Sequence, residues 1–253
     1  MSLPLLKVSG LKKAYGAIQA VDDVTFEVLP GEIFGVIGPN GSGKTTLFNS
    51  VLGQIEPDSG RIELKGQDIT GKSPMRLSQL GVGRTFQTLQ VFGKMSVRDN
   101  LLVAAQEHEG TMWRRLFAPR DAGLGAKADA LIAQFRLGHV AEMKAGELSY
   151  GQQKLVDIAM AFMSAPDLVL LDEPCAGVNP SLVGGISQLL KALNAAQRSD
   201  GQATSFVVIE HNMDVVMDLC HRILVMVEGR VLAIGTPAEI RANKQVLDAY
   251  LGN

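Results

Sequence analysis

The sequence predicts an α/β protein in which a mostly parallel sheet is joined to an N-terminal antiparallel β subdomain and an inserted α-helical subdomain. Short β-branched runs alternate with segments of helical periodicity in the first and last thirds of the chain. This alternation implies parallel strands covered by helices on both faces. A glycine-rich loop follows one of these runs. The middle third carries apolar residues at helical spacing and few strand-like runs, which predicts the insertion.

The composition indicates a folded chain and excludes several classes of protein. The 253 residues are 46% hydrophobic and 20% charged, which excludes wholesale disorder. A formal net charge of −2 offers no overall basic footprint. A local basic patch is the alternative, and we expect no nucleic-acid partner. The longest apolar runs, such as residues 168–171, are strand-sized and well short of the ~18 residues of a membrane-spanning helix. Cys175 and Cys220 are too few for a disulfide framework and predict reduced thiols.

The first third of the chain predicts strands, a loop and a helix in that order. Alternating apolar and polar residues over the first thirty positions indicate short antiparallel strands that end at the Pro30-Gly31 turn. Residues 32–37 are typical of a buried strand, and helical spacing then runs from Thr45 until Gly53 stops it. We further expect a turn at 57–60, a strand at 61–64, a helix at 74–80 and a strand at 82–86.

The rest of the chain returns from helices to alternating strands and helices. Helical spacing dominates from about residue 88 to 164, and Pro166 ends the insertion. Thr236 and Glu239 have the spacing of a capping box, with Pro237 at the first helical position, so a C-terminal helix is expected there. Between them we expect a strand at 168–171, a helix from Pro180, a strand at 205–209, a helix from Asp214 and a hairpin at 223–234 that turns at Glu228-Gly229.

The glycine-rich loop has the pattern of a phosphate-binding P-loop between a strand and a helix. Its glycines let the backbone wrap so that amide hydrogens point at phosphate oxygens, and the following helix adds its positive dipole end. Lys44 can reach the β and γ phosphates, the Thr45 hydroxyl can ligate Mg²⁺, and Thr46 can donate to an α-phosphate oxygen. An ordinary glycine turn is the alternative, and chance produces this pattern in roughly one chain of this length in a hundred. The loop residues are Gly38, Pro39, Asn40, Gly41, Ser42, Gly43, Lys44 and Thr45.

Two carboxylates end the strand predicted at 168–171. Asp172 and Glu173 are therefore expected at the mouth of the sheet, where ligands of α/β proteins bind. Asp172 suits coordination of Mg²⁺ through water, and Glu173 suits polarising a water that attacks a γ-phosphate. Adjacent acids at a strand end are often only solvated, but the P-loop favours the catalytic interpretation.

Residues 148–154, LSYGQQK, resemble the LSGGQ signature of ABC-transporter ATPases, with Tyr150 where the commonest form has glycine. Ser149 and Gln152 have the spacing of a capping box that opens a helix. The Ser149 hydroxyl and the Gly151 amide would then lie at a helix N-terminus, which is suited to binding an anion. A helix cap without a ligand is the alternative.

The order of the motifs extends this resemblance over nearly all of the chain. The P-loop is followed by Gln87, the signature, the acidic pair and then His211, as in the ABC cassette. The resemblance implies a P-loop NTPase core of the RecA-like type that binds ATP and Mg²⁺ and hydrolyses ATP. It implies one ABC ATPase domain over 1–253, with 1–87 and 165–253 as the nucleotide-binding core with its β subdomain and 88–164 as the helical subdomain.

The resemblance also implies roles for single residues. Tyr15 would stack on the adenine ring, with a half-buried strand tyrosine as the alternative. Gln87 would contact Mg²⁺ or the attacking water and sense the membrane partner, with a solvated amide as the alternative. His211 would contact the γ-phosphate and hold the geometry of attack, with a histidine that takes no part in catalysis as the alternative. Residues 176–180 would be the D-loop, in which Asn179 stands where many cassettes carry aspartate.

The signature implies a second subunit. In such ATPases Ser149, Gly151 and Gln152 would complete the nucleotide site of a partner cassette rather than their own, so that two ATP molecules lie between two cassettes. Because the chain has one P-loop and one signature, it is expected to need an identical or similar partner. Binding of the γ-phosphate would drive closure of the pair, and hydrolysis would release it.

Within the ABC family the chain resembles the ATP-binding subunits of branched-chain amino-acid importers. That resemblance implies uptake of leucine, isoleucine or valine through integral-membrane permease subunits, supplied by a periplasmic or extracellular solute-binding protein. It also implies a place at the cytoplasmic face of a bacterial inner membrane. An importer of urea, amides or other hydrophobic amino acids, a soluble ABC protein and a P-loop kinase are the alternatives. The segments that carry the resemblance are 83–87, 100–104, 113–117, 149–153, 176–180 and 250–252.

Overall fold

The computed structural model describes residues 3–85, 89–105, 122–197 and 201–251, and these ranges contain ten strands and nine α-helices. Apart from the N-terminal strands, the predicted elements are present with ends that differ by one or two residues. The strands are β1 (Leu6–Tyr15), β2 (Ile18–Val28), β3 (Ile33–Ile37), β4 (Ser59–Leu64), β5 (Gln67–Asp68), β6 (Val82–Arg84), β7 (Leu168–Asp172), β8 (Ser205–Ile209), β9 (Arg222–Val227) and β10 (Arg230–Gly235). The α-helices are α1 (Lys44–Val51), α2 (Pro74–Gln79), α3 (Val97–Ala104), α4 (Ala122–Gln134), α5 (Tyr150–Ala161), α6 (Pro180–Ala195), α7 (Met213–Leu219), α8 (Pro237–Ala242) and α9 (Lys244–Leu251).

The N-terminal strands are longer than the sequence predicts. β1 and β2 span 10 and 11 residues and pair as one antiparallel hairpin, so the expectation of short strands is wrong. Register shifts interrupt their pairing between Val8 and Ala14, and the apolar alternation therefore breaks while the strand continues. Among the described residues this sheet has the order β2-β1-β4-β5, and β5 has no counterpart in the sequence prediction.

The second sheet places three loops side by side. In the described chain its order is β10-β9-β3-β8-β7-β6, and all neighbours are parallel except the edge pair of β10 and β9. This confirms the mostly parallel α/β architecture. Because β3, β8 and β7 are neighbours that run in the same direction, the loops that follow them emerge at one edge of the sheet. Those loops begin at Gly38, Glu210 and Glu173.

The central strands of this sheet are buried on both faces. Phe34 and Val36 of β3 pack in a cluster with the N-terminal sheet and α1, whereas Ile33 and Ile37 pack in a cluster with the helices of the other face. All five positions of β3 are buried, as a parallel strand between two layers requires. Burial of each such side chain stabilises the fold by about 1.5–3 kcal/mol. The loops that follow β3, β8 and β7 therefore begin from well-packed strands.

The helices between β6 and β7 pack together and onto the sheet. The ring of Phe162, at the end of α5, lies 6.0 Å from the ring of Phe206 in β8. Asn100 in α3 is fully buried and holds the preceding turn, because its side chain accepts from the Phe92 amide at 2.7 Å and donates to the Ser96 carbonyl at 2.8 Å. None of the helices in the described ranges has both the length and the apolar character needed to span a membrane.

Both cysteines are free and buried, in agreement with the predicted reduced thiols. Burial, together with the nearby Glu210 carboxylate, raises the pKa of Cys175 and of Cys220 to about 12. At pH 8 about one thiol in ten thousand would then be ionised, and the thiolate is the reactive form. We expect iodoacetamide at pH 8 to leave both cysteines unmodified in the folded protein and to alkylate both in denaturant, as measured by peptide mass spectrometry. Alkylation of either thiol in the folded chain would contradict its burial.

Candidate active site

The P-loop approaches β2 more closely than a side chain would allow. Gly43 precedes α1 as its N-cap with φ at 97°, a left-handed conformation that favours glycine. A Cβ atom at this position would lie 2.0 Å from the carbonyl oxygen of Ala20 in β2. The glycine therefore allows the loop to turn tightly against the hairpin just before α1 begins.

Lys44 of the P-loop is largely buried and close enough to the acidic pair to feel its charge. Its ammonium group donates hydrogen bonds to the carbonyls of Gly38 and Pro39, at 2.8 and 2.9 Å. Burial lowers the pKa of Lys44, and the nearby charges of Glu173 and Asp172 oppose that effect. A lysine charge held in this position can bind an anionic ligand as a point charge.

The hydroxyl of Ser42 provides a test of whether the loop fits a phosphate. It is buried within the loop and has no hydrogen-bond partner among the residues that the structure describes. A buried hydroxyl left unpaired costs about 1–3 kcal/mol, and a phosphate oxygen in the loop would accept its hydrogen bond. The P-loop therefore fits the phosphates of a nucleotide.

One cleft brings the P-loop together with side chains from other strands. Its volume is about 510 Å³, within the range of small-molecule sites. Glu173 follows β7, His211 follows β8 and Glu228 lies in the turn between β9 and β10, so residues that are distant in the sequence meet here. Residues 18–20 and 40–46 also line the cleft.

Glu173 and His211 contact each other directly in this cleft. Nε2 of His211 lies 2.7 Å from Oε1 of Glu173, and because an ionised carboxylate only accepts, the imidazole donates. Glu173 has φ at 49°, a left-handed conformation that is strained in a residue other than glycine. Its amide donates to the Ile209 carbonyl at 2.9 Å, which helps to hold this conformation. The carboxylate is thus oriented to accept a proton beside an imidazole.

Asp172 ends β7, directly before Glu173. Burial raises the pKa of the Asp172 carboxyl, and the neighbouring charge of Glu173 raises it further, although nearby lysine and histidine charges oppose this. A carboxylate in this setting gains from a nearby cation, and Mg²⁺ takes few protein oxygens when phosphate and water complete its coordination. The Asp172 carboxylate has the chemistry that such an ion takes, and the predicted pairing of Asp172 with Thr45 around it stays a prediction. The described residues contain no cluster of three His, Cys, Asp or Glu side chains that would hold a metal by themselves.

The signature residues lie at the start of α5. The predicted capping box is present, because the Gln152 amide donates to Ser149 Oγ at 3.4 Å and the Ser149 amide donates to Gln152 Oε1 at 3.0 Å. Ser149 is exposed, whereas Gly151 is buried and faces Cδ1 of Leu182. Within the described chain, none of the three predicted signature contacts lines the cleft of its own P-loop.

Tyr150 links the signature to the D-loop expected at 176–180. Its half-exposed ring lies over Gly177, where a Cβ atom would come within 3.1 Å of Tyr150 Cε1. Asn179 caps α6, and its side chain accepts from the Ser181 amide at 3.0 Å and from the Ser181 hydroxyl at 2.9 Å. Asparagine and aspartate cap helices equally well. The asparagine at 179, where many cassettes carry aspartate, therefore leaves the start of α6 capped.

Tyr15 is exposed at the end of β1. About half of its surface is accessible, and it does not line the cleft in the described chain, although residues 18–20 do. Nζ of Lys13 lies 5.9 Å from the centre of its ring.

Gln87 falls outside the described residues, as do Phe86 and residues 113–117. The predicted contacts of Gln87 therefore stay predictions.

Glu210 is a residue of this site that the motifs do not single out. It directly follows β8, is 3% exposed, and accepts hydrogen bonds from the amides of Cys175 and His211 at 2.7 and 3.1 Å. An acid directly after an apolar strand is the signal that pointed to Asp172, and the same signal is present here. Lys154 of α5 is also buried, at 1% exposure, but its place within a helix offers no comparable signal.

Comparisons with known families agree with this geometry. A family described as ABC transporter matches residues 21–176, which is more than half of the chain. A second family, described as branched-chain amino acid ATP-binding cassette transporter, matches residues 230–253.

Curated relatives match the chain over its whole length. The high-affinity branched-chain amino acid transport ATP-binding protein BraF of Pseudomonas aeruginosa is 39% identical, over 100% of this chain and 99% of its own. The high-affinity branched-chain amino acid transport ATP-binding protein LivG of Escherichia coli is 37% identical, over 100% of this chain and 99% of its own.

Solved structures share the fold. An ATP-binding cassette of an ABC transporter in its ADP conformation has a TM-score of 0.87 at 34% identity, and the match covers 100% of both chains. A dimeric ATP-binding cassette in a post-hydrolysis state, bound to ADP and Pi, has a TM-score of 0.74 at 25% identity, covering 92% of this chain and 98% of that one. With a P-loop, Glu173 and His211 in one cleft, and with these matches, the chain belongs to the ABC transporter family as its ATP-binding and ATP-hydrolysing cassette.

Proposed function

We propose that this chain hydrolyses ATP to energise the uptake of branched-chain amino acids (leucine, isoleucine or valine) by an ABC importer. The contact between Glu173 and His211, 2.7 Å apart in the P-loop cleft, is the observation that carries hydrolysis. The substrate class rests on BraF and LivG, which are named as branched-chain amino acid transport ATP-binding proteins. The family that matches residues 230–253 has a similar description.

In this proposal the P-loop and Lys44 hold the triphosphate. The backbone amides of residues 38–43 and the N-terminus of α1 offer hydrogen bonds and positive potential to phosphate oxygens. Lys44 exchanges its two carbonyl acceptors in the loop for oxygens of the β and γ phosphates. The Ser42 hydroxyl gains a phosphate partner, and Thr46 donates to the α-phosphate. Tyr15 stacks on the adenine, a contact worth about 1–3 kcal/mol by analogy with other base–aromatic stacks.

Glu173 acts as the general base. Its carboxylate accepts a proton from the water that attacks the γ-phosphate. His211, which donates to Glu173 across the cleft, contacts the γ-phosphate when ATP is bound and holds the geometry of attack. Asp172, Thr45 and Gln87 would hold Mg²⁺, which neutralises charge on the β and γ phosphates.

A second cassette completes the nucleotide site. Ser149, Gly151 and Gln152 lie at the N-terminus of α5, away from the described lining of their own cleft. Because a helix N-terminus binds anions, these residues are placed to contact the γ-phosphate held by a partner subunit, identical or similar. The solved dimer of a related cassette with ADP and Pi supports this arrangement.

The assembly that follows is peripheral to a membrane. The chain would dock on integral-membrane permease subunits at the cytoplasmic face of a bacterial inner membrane, and an external solute-binding protein would deliver the amino acid. In this proposal 1–253 form one ABC ATPase domain, and 88–164 form the helical subdomain that carries the signature. The solute then contacts the permease and the binding protein rather than this chain.

Uptake by cells tests the substrate class. Deletion of the gene is expected to lower uptake of radiolabelled leucine, isoleucine and valine and to leave urea uptake unchanged, because the relatives are named for branched-chain amino acids. The parent gene should restore uptake, whereas a Glu173→Gln gene should not, which ties transport to hydrolysis. Normal leucine uptake together with impaired urea uptake in the deletion strain would refute the amino-acid assignment.

A further inference from the structure

A buried carboxylate that the proposed mechanism does not use lies beside the Glu173–His211 contact. Glu210 directly follows β8 and is 3% exposed. Its Oε1 accepts the N–H of Cys175 at 2.7 Å, and its Oε2 accepts the N–H of His211 at 3.1 Å and, more weakly, that of Asn212 at 3.5 Å. Both oxygens of this carboxylate therefore bind backbone amides.

These hydrogen bonds join the two loops that carry Glu173 and His211. Cys175 comes two residues after Glu173, and His211 directly follows Glu210. The pairing of β7 with β8 ends at Asp172 and Ile209, and one more backbone bond follows it, from the Glu173 amide to the Ile209 carbonyl at 2.9 Å. Beyond that bond the strands alone do not set the separation of the loops. The loops are thus connected in two ways. Glu173 and His211 contact each other through their side chains at 2.7 Å, and the Glu210 carboxylate binds the backbone amides of Cys175 and His211.

The chemistry of this bridge favours a carboxylate. An ionised carboxylate only accepts hydrogen bonds, so its two oxygens serve the amides of two loops at once. A glutamine of the same shape offers one oxygen and one NH₂ group, and the NH₂ group would face a backbone N–H. Burying an unpaired charge is costly, and here both carboxylate oxygens accept hydrogen bonds from backbone amides. The buried Lys154 supplies an opposite charge nearby. The two charges have opposite effects on the pKa of the Cys175 thiol, which Glu210 raises and Lys154 lowers.

We propose that Glu210 is a positioning residue for ATP hydrolysis: by binding the amides of Cys175 and His211, it sets the separation between the Glu173 carboxylate and the His211 imidazole. This inference rests on the proposed roles of Glu173 and His211. Glu210 is not among the described residues that line the cleft. It should therefore affect the rate of the chemical step and not the binding of ATP.

Steady-state ATP hydrolysis by the full-length chain tests this inference with Glu210→Gln and a matched control, Glu32→Gln. Glu32 is also a buried carboxylate, which accepts from the Leu29 amide at 2.7 Å and pairs with Arg222. It precedes β3 and therefore lies at the amino-terminal end of the parallel strands, away from the loops that carry Glu173 and His211. We expect Glu210→Gln to lower kcat about 10- to 100-fold with KM little changed, since small displacements of reacting groups have effects of this size. Glu32→Gln should lower Tm and keep the parental kcat. A parental kcat in Glu210→Gln, or an equal loss of kcat in both variants, would overturn the proposal.

A double-mutant cycle separates positioning from a general loss of stability. If Glu210 acts through His211, Glu210→Gln should add no further loss of kcat in a His211→Ala background, because coupled residues are not additive. Losses that multiply would contradict this. Where circular dichroism shows that Glu210→Gln does not fold, Glu210→Asp, which is shorter but keeps the charge, takes its place in the same cycle.

The parent chain and Glu173→Gln keep this inference apart from the proposed function. If Glu173→Gln abolishes hydrolysis and Glu210→Gln hydrolyses ATP at the parental rate, the positioning role of Glu210 is refuted. The assignment of Glu173 as the base is then unaffected. A parental rate in Glu173→Gln would remove the base assignment and, with it, the positioning role.

Discussion

Replacement of Glu173 by glutamine is expected to lower kcat for ATP hydrolysis by about 100- to 10,000-fold, the range over which a general base acts, while ATP still binds. The amide cannot take a proton from the attacking water, yet it keeps the shape of the carboxylate and can accept from His211 Nε2 across the 2.7 Å contact. Because uncleaved ATP would remain between two cassettes, Glu173→Gln should accumulate as a dimer in the presence of ATP. Size-exclusion chromatography with light scattering measures this.

Glu56→Gln is the matched control for this substitution, since Glu56 is an exposed carboxylate away from the described lining of the cleft. It should hydrolyse ATP at the parental rate and form no trapped dimer. In the parent, the rate per chain should rise with protein concentration, because each site needs two chains. Parental hydrolysis by Glu173→Gln would show that another group is the base, and a monomer that encloses ATP fully would refute the shared site.

Replacement of Lys44 by alanine is expected to weaken ATP binding about 10- to 100-fold, because hydrogen bonds to charged groups contribute about 1.5–3 kcal/mol each. The ammonium group is largely buried and close enough to the acidic pair to feel its charge, so water does not easily replace it. Its loss also leaves the Gly38 and Pro39 carbonyls without the donor that they share. Isothermal titration calorimetry with ATP and Mg²⁺ measures the change in Kd.

Lys191→Ala is the matched control, because Lys191 forms an exposed ion pair with Asp218 at 2.7 Å and lies on α6. Surface pairs of this kind contribute little to stability, so this variant should bind ATP as the parent does. Lys44→Arg keeps the charge but replaces a compact ammonium by a planar guanidinium. Because Lys44 is largely buried, the larger group does not fit, and this variant should also bind ATP weakly. Equal affinities for Lys44→Ala and Lys191→Ala would rule out the P-loop lysine as a phosphate ligand.

The capping boxes show why some parts of the fold could be predicted. Ser149 with Gln152, and Thr236 with Glu239, are each three residues apart, and both boxes are present. Their hydrogen bonds depend on a few neighbouring residues, so spacing is sufficient evidence. The buried strand β3 was predictable for a similar reason, since a short run rich in β-branched residues is typical of a buried strand.

Other features depend on contacts that no local pattern encodes. The length of the N-terminal strands was predicted wrongly, because bulges between Val8 and Ala14 break the alternation without ending the strand. The requirement for glycine at Gly43 arises in part from the carbonyl of Ala20, which lies on β2, 23 residues earlier in the chain. Glu210 carried a usable signal, an acid after an apolar strand, but its partners are amides of two loops that meet only in the folded chain.

The sequence by itself determined which chemical groups are available: a phosphate-binding loop before a helix, two acids after one apolar strand and a histidine after another. Each of these is a matter of neighbouring residues and of periodicity. The tertiary structure alone decided that Glu173 and His211, 38 residues apart in the chain, meet at 2.7 Å, and that Glu210 bridges their loops. The physical reason is that the strand order β3-β8-β7 makes those loops neighbours, and this order depends on how the whole sheet packs between its two apolar layers.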